Sequence, residues 1–287
     1  MRPDLSWIVL PDLHPAAFTA AAREVEATGA RTLWTYDHLS WRDMRDGPWF
    51  GAVPLLAAAA AVTERVRLGT QVASPNFRHP VPFAKEVVTL DHVSDGRFEL
   101  GIGRGGEGAD ATVLGGEPWP ARERTERFEE WTRLLVTMLE QQVTTARGRW
   151  WSAVDARTVP GCVQRPRVPV TVAAAGPRGM RLAAGVADSW ITYGDVRETG
   201  RGFLAAVSAQ NRALDEVVAA AGRTRPLRRT AQVGLLDREP FTSPAAYADL
   251  LGALGEAGFD EVSLHWPRED GRGVPRAALD AVLAAHA

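Results

Sequence analysis

The sequence predicts an α/β fold, a single (β/α)8 TIM barrel over residues 1–287, on two observations. First, short apolar runs rich in β-branched and aromatic residues alternate with longer helix-like segments, and this pair recurs eight times. Second, no linker or shift in composition divides the chain, and eight strand–helix units fit one barrel of this length. A doubly wound sheet is the alternative for the same alternation.

The predicted elements follow one another in a regular order. The strand-length runs are SWIVLP (6–11), TLWTYD (32–37), VRLGTQVAS (66–74), RFELGIG (97–103), VPVTVAA (168–174), DSWITYG (188–194), TAQVGLL (230–236) and EVSLHWP (261–267). The helix-like segments cover about 15–28, 51–63, 80–94, 122–142, 177–187, 199–221, 243–257 and 275–286. Residues 143–167 fit neither pattern and are predicted to be an insertion before the fifth barrel strand.

Composition limits the possible partners. The chain is 45% hydrophobic and 24% charged, which is typical of a globular protein with a real core. A net charge of −2 argues against a nucleic-acid or membrane-surface partner. The longest apolar run, VPLLAAAAAV, is too short to cross a bilayer. One cysteine, Cys162, gives no disulfide framework, so we expect a cytoplasmic protein. Since nucleic acid and membrane are disfavoured as partners, we expect a small-molecule substrate.

The third helix-like segment contains the only lysine, Lys85. Projected at about 100° per residue, Lys85 falls on the polar side, where a solvated lysine needs no functional role. Asp91 falls in the middle of the apolar arc of the same helix. A buried carboxylate needs a partner, and we expect Arg78 or Arg97 to supply it.

In a TIM barrel the chemistry lies at the carboxyl ends of the strands. The second strand ends in TYDHLSW, which places Asp37 and His38 there. A histidine beside a carboxylate is a candidate general acid or base. The alternative is a histidine with a purely structural role. Trp41 is an aromatic wall for a bound ring or simple loop packing. His265 and Trp266, after the eighth strand, are predicted to line the same pocket.

Two glycine-containing turns also lie at strand ends. GIGRGGEG matches G-x-G-x-x-G, but no long helix follows, which disfavours a dinucleotide fold. We expect these glycines to admit a flat ligand or a backbone segment at close distance. In AAAGPRG, Gly176 and Pro177 open a helix whose free N–H groups suit a phosphate, with Arg178 as a charged fork. An ordinary turn is the alternative there. No histidine spacing predicts a metal site, and no G-x-S-x-G elbow is present.

Three stretches carry a family resemblance. LGTQVASPNFRHPVPFAKEVVTLDHVSDGRFELGIGRGG, preceded by LWTYDHLSW, resembles the bacterial luciferase-like flavin-dependent oxidoreductases, which include members that use the deazaflavin coenzyme F420. VAAAGPRGMRLAAGVADSWIT resembles the phosphate-binding turn of the same family. The resemblance spans most of residues 30–195 and implies a TIM barrel with an insertion before the fifth strand, and a possible homodimer.

The resemblance also implies roles by position. His38 matches the acid/base, Trp41 the aromatic wall, and the Gln71-Val72 bond a cis peptide that forms a bulge against the cofactor ring. The implied cofactor-binding residues are Asp37, Gln71, Val72, Ser74, Gly103, Arg104, Gly105, Ala175, Gly176, Arg178 and Gly179. The implied cofactor is F420, with FMN as the alternative.

One position departs from the F420-dependent sugar-phosphate dehydrogenases. They have a glutamate in the loop after the fourth strand, where this chain has Gly106, with Glu107 beside it as a substrate-pocket candidate. They also hold the substrate phosphate with lysines, and Lys85 lies away from the mouth. We therefore expect hydride transfer between F420 or FMN and a small, uncharged or modestly polar substrate. The alternatives are an FMN- and oxygen-dependent monooxygenase and a non-catalytic flavin-binding protein.

Overall fold

The computed structural model describes residues 2–195, 197–268, 270, 273–278 and 283. Its strands are β1 (Asp4–Ile8), β2 (Thr32–Thr35), β3 (Arg67–Thr70), β4 (Phe98–Gly103), β5 (Val143–Arg147), β6 (Ser152–Arg157), β7 (Val170–Ala173), β8 (Ser189–Thr192), β9 (Arg228–Gln232) and β10 (Glu261–His265). Eight of these strands form a closed parallel barrel in the order β1-β10-β9-β8-β7-β4-β3-β2. The predicted TIM barrel is confirmed, and the doubly wound sheet is excluded because the sheet closes.

Helices follow the barrel strands as predicted. They are α1 (Pro15–Ala27), α2 (Ala52–Ala60), α3 (Pro80–Val93), α4 (Ala121–Glu140), α5 (Pro177–Val186), α6 (Gly200–Ala220) and α7 (Pro244–Glu256). Four of them begin with proline, whose fixed φ and missing N–H suit the first helical position. Most of the helix predicted at 275–286 lies outside the described residues, since 279–282 and 284–287 are among those not described.

The predicted insertion contains an antiparallel hairpin formed by β5 and β6. Its sequence, VTTARGRWWSAVDAR, carries the β-branched and aromatic residues of a strand pair around a short glycine-containing turn. The hairpin does not pair with the barrel strands, because a closed barrel has no free edge strand.

The barrel interior is filled by side chains rather than by solvent. Trp34 is fully buried, and Gly69 leaves room for its ring, since a Cβ at that position would overlap the indole. At the amino-terminal end, buried Glu99 accepts from Arg31 and Arg67 at 3.0 and 3.1 Å, and Glu261 pairs with Arg228 at 3.0 Å. This closed base leaves the carboxyl end of the strands as the open face of the barrel.

The prediction that Arg78 or Arg97 pairs with Asp91 is wrong. Asp91 is fully buried on the core face of α3, as its place in the apolar arc predicts. Its carboxylate accepts hydrogen bonds from the backbone and side-chain nitrogens of Gln164, at 3.0 and 2.7 Å. Arg97 instead donates to carbonyl groups of the chain around Thr63, and Arg78 binds other carboxylates. An amide from the insertion therefore satisfies the carboxylate without an ion pair.

Candidate active site

His38 is held by a carboxylate that comes from a different strand end. Its Nδ1 lies 2.5 Å from Oδ2 of Asp110, which follows β4 in the short 3-10 turn Ala109–Ala111. Asp110 is buried, and its Oδ1 also accepts the backbone N–H groups of Leu39 and Ser40 at 2.9 and 3.3 Å. Because the carboxylate accepts, Nδ1 of His38 carries a proton. Nε2 makes no hydrogen bond with the described residues and is the nitrogen free to exchange protons.

Aromatic rings pack around His38. Trp41 meets Tyr36 edge to face, with ring centroids 5.1 Å apart, and stacks on Trp49 at 6.1 Å. Its ring lies 6.5 Å from that of His38. The indole N–H of Trp49 donates to the carbonyl of His38 at 2.9 Å, which anchors the loop. Trp41 thus forms one side of an aromatic wall, and its contact with a ligand stays a prediction.

A row of polar side chains crosses the barrel below this wall. The Gln71 amide donates to Gln232 at 2.8 Å, Gln232 donates to the Tyr36 hydroxyl at 3.0 Å, and that hydroxyl lies 2.9 Å from Nε2 of His265. Ser263 donates to Gln71 at 3.3 Å. The row gives Gln71 and His265 buried, hydrogen-bonded positions.

Burial sets the charge state of this row. It raises the pKa of the Tyr36 hydroxyl to about 12, against the lowering effect of the Gln232 hydrogen bond. It lowers the pKa of His265 to about 3, although the Val233 backbone favours the charged ring. Both groups are therefore neutral near pH 7, and the row is an uncharged floor beneath the mouth.

Asp37 is engaged by an arginine rather than free. Arg78 binds both its carboxylate oxygens, at 2.5 and 2.7 Å, and reaches Glu86 at 2.7 Å. Burial alone lowers the pKa of the Arg78 guanidinium, but the hydrogen bonds and charges of Asp37 and Glu86 outweigh it and raise that pKa. The pair ties the end of β2 to the start of α3, and ring binding by Asp37 stays a prediction.

The end of β3 packs closely against the end of β4. The Gln71-Val72 peptide bond is cis, as the family resemblance implies. Gly103 admits this segment, because a Cβ at that position would lie 2.6 Å from the Val72 side chain. Gly105 has φ +77° and faces the side chain of Asn76. At both glycines another part of the chain approaches closely, as one of the two interpretations of these glycines expects. Ser74, in the same segment after β3, is buried.

The remaining residues of the β4 loop point elsewhere. Arg104 donates to Thr125 of α4 at 3.3 Å, and the exposed Glu107 accepts from the buried Arg124 at 2.5 Å. Trp266 is buried in the main core, where its ring meets Trp7 edge to face at 5.3 Å. Neither Glu107 nor Trp266 is brought to His38. Asp110, which the sequence reasoning did not single out, is.

The turn before α5 exposes backbone donors. Gly176 caps the helix with no side-chain hydrogen bond, Ala175 and Gly176 are exposed, and no atom lies within 4 Å of a Cβ built on Gly176. Gly179 packs against Ala174, which brings the helix close to β7. Arg178 is bound by both oxygens of Glu129, at 3.0 and 2.7 Å, and this pairing raises its pKa. Open N–H groups at a helix start can hold a phosphate.

The family follows from the sequence profile that the chain matches. The profile of the family described as luciferase-like monooxygenase covers residues 6–287. The chain belongs to this family. Within the described positions of this luciferase-like chain, no three His, Cys, Asp or Glu side chains cluster in a way that could hold a metal ion. None of its described helices is long and apolar enough to cross a membrane.

Relatives and solved structures agree with this assignment. The F420-dependent glucose-6-phosphate dehydrogenase of Beutenbergia cavernae is 40% identical over 188 residues, which are 63% of this chain and 53% of the relative. Uncharacterized protein Rv0953c of Mycobacterium tuberculosis is 32% identical over 265 residues, 86% of each chain. The coenzyme F420 dependent tetrahydromethanopterin reductase from Methanopyrus kandleri has a TM-score of 0.77 at 17% identity, covering 99% of this chain and 98% of that one, which shows a shared fold. The luciferase-like chain spans about half the length of the dehydrogenase that it matches.

Proposed function

We propose that this luciferase-like protein is an oxidoreductase that transfers a hydride between F420 and a small organic substrate at the barrel mouth. The observation that carries the proposal is the 2.5 Å contact between His38 and the buried Asp110, beside an aromatic wall. Relatives named as F420-dependent dehydrogenases support the choice of cofactor.

The residues present fit an anionic, ring-bearing cofactor. The first turn of α5 presents N–H groups beside Gly176, where open space surrounds the backbone, and its positive end favours a phosphate. Ala175, Gly176 and Gly179 would hold that phosphate through backbone donors. Arg178 would contribute less charge than a free arginine, because Glu129 already binds it.

His38, Asp110 and the aromatic wall have different roles in the proposed reaction. When bound, F420 supplies the atom that accepts or gives the hydride. His38 takes or returns the substrate proton at Nε2, while Asp110 keeps the other ring nitrogen protonated and the ring fixed. Tyr36 and Trp41 exclude water from one side of the pocket.

A second function is an FMN- and oxygen-dependent monooxygenase, which the description of the matched family favours. The two are separated by an anaerobic assay. Purified protein is mixed with F420 and a panel of alcohols and ketones, and the F420 absorbance is followed. The proposal expects substrate-dependent oxidation or reduction of F420 without oxygen. Turnover only with FMN and oxygen supports the monooxygenase, and cofactor binding without any turnover supports a binding protein.

Homodimer formation and a cytoplasmic location stay predictions from the sequence.

A further inference from the structure

A cavity lies beside the mouth of the barrel. None of the residues that were assigned a role in catalysis or cofactor binding lines it. It has a volume of about 480 Å³, within the range of small-molecule sites, and opens between the chain after β3 and the loop after β4. Its apolar lining is Ala111, Leu114, Pro118, Trp119 and Pro120. Leu114 is 70% exposed and Trp119 38%, so both present apolar surface at the cavity.

The cavity adjoins the loop that carries Asp110. Ala111, on its wall, is the residue after Asp110, which binds His38. Asn76, on the opposite wall, donates to the carbonyl of Gly106 at 3.2 Å and so ties the ends of β3 and β4 together. Neighbouring residues of one loop, Asp110 and Ala111, therefore contact His38 and the cavity, respectively.

Both charged residues that line the cavity, Glu117 and Glu123, are acidic. Arg149 lies 4.0 Å from Glu123, and the guanidinium of Arg127 lies 4.7 Å from the ring centroid of Trp119. Several arginines at the strand ends are already neutralised: Arg78 by Asp37 and Glu86, Arg124 by Glu107, Arg178 by Glu129, and Arg197 by Asp195. A phosphate group on a substrate would meet two carboxylates here and no lysine.

We infer that this cavity is a substrate subsite that takes the uncharged alkyl or aryl part of a phosphate-free substrate. The inference rests on the proposed function for the identity of the reacting group, but the subsite itself is defined by Leu114 and Trp119. It separates this chain from relatives named for glucose 6-phosphate.

The test measures chain-length dependence of binding. Affinities of 2-butanone, 2-hexanone and 2-octanone are measured by ligand-observed NMR on the full chain, with and without F420. Each CH2 buried in the subsite raises affinity about fourfold. Leu114→Asp and Trp119→Ala are expected to reduce that increment to less than about twofold per CH2. Val154→Asp, at a valine that is 66% exposed on the hairpin, is the matched control and keeps the wild-type increment.

The outcomes distinguish the subsite from the cofactor assignment. Equal increments in the wild type and in Leu114→Asp overturn the subsite, as does saturable glucose 6-phosphate binding tighter than that of 2-octanone. If F420 fails to bind while the increment still depends on Leu114, the proposed function is wrong and the subsite stands.

Discussion

Asp110 accepts the Nδ1 proton of His38 at 2.5 Å, although the two residues are 72 positions apart in the chain. The same carboxylate accepts the backbone N–H groups of Leu39 and Ser40. It therefore fixes both the ring and the loop that carries it. Hydrogen-bonded carboxylates of this kind set which nitrogen of a histidine is protonated.

Replacing His38 by alanine tests its role as acid or base. General acid–base groups contribute about 10²- to 10⁴-fold to rate, so His38→Ala is expected to lower kcat by that range. F420 affinity should stay within about threefold, because the phosphate turn is untouched. Steady-state kinetics and a fluorescence titration measure the two quantities. An unchanged kcat would remove His38 from the mechanism.

Asp110→Asn tests the positioning of His38. Oδ1 already accepts two backbone N–H groups, so the new amide would turn its NH2 toward His38 and force the proton onto Nε2. We expect kcat/KM to fall about 10- to 100-fold, with an altered pH profile. Glu107→Gln, in the same loop but exposed and bound to Arg124, should leave both nearly unchanged. Equal losses in the two variants would contradict a specific role for Asp110.

Gly176→Val tests the phosphate turn. The residue has φ −113° and open space around it, so a side chain fits the free protein but fills the place of a phosphate. We expect F420 affinity to fall at least about tenfold with an unchanged thermal midpoint. Gly185→Ala, later in α5 and equally open, is the control and keeps the affinity. Undiminished binding by Gly176→Val would place the phosphate elsewhere.

The buried His265 is expected to make the stability of the protein depend on pH. Its pKa is about 3 in the folded protein against an ordinary 6.5, so protons bind the unfolded chain preferentially. The stability that the neutral His265 contributes is fully present above pH 6.5 and is lost as the pH falls from 6.5 toward 3. Between pH 7 and pH 5 the loss is about 2 kcal/mol of unfolding free energy. Urea unfolding of His265→Gln should show a pH dependence smaller by that amount. An identical dependence would mean that burial does not lower the pKa of His265 in the folded protein.

The barrel could be predicted because its signals are local. Apolar runs and proline-initiated helices repeat along the chain, and eight such units admit few arrangements. The insertion was located by the absence of that pattern, but the pairing of β5 with β6 was not predicted. Strand pairing depends on register, which composition alone does not reveal.

The site was predictable only in part, since its side chains meet through the fold. Histidine, tryptophan and the turn at Gly176 stand at strand ends, where the barrel rule directs attention. The acidic partner of His38 did not follow, because the sequence places Asp37 beside it, whereas Asp110 comes from the loop after β4. For Asp91, an arginine was the expected partner, yet Gln164 arrives from the insertion, whose path the sequence did not indicate.

Titration of the cofactor-free protein with F420 and with FMN tests the central claim most directly. Absorbance and fluorescence report binding, and Gly176→Val serves as the site control. We predict saturable binding of F420 at micromolar concentration or tighter, weakened in Gly176→Val, and weaker binding of FMN. Micromolar binding of FMN with no binding of F420 would contradict the proposed function.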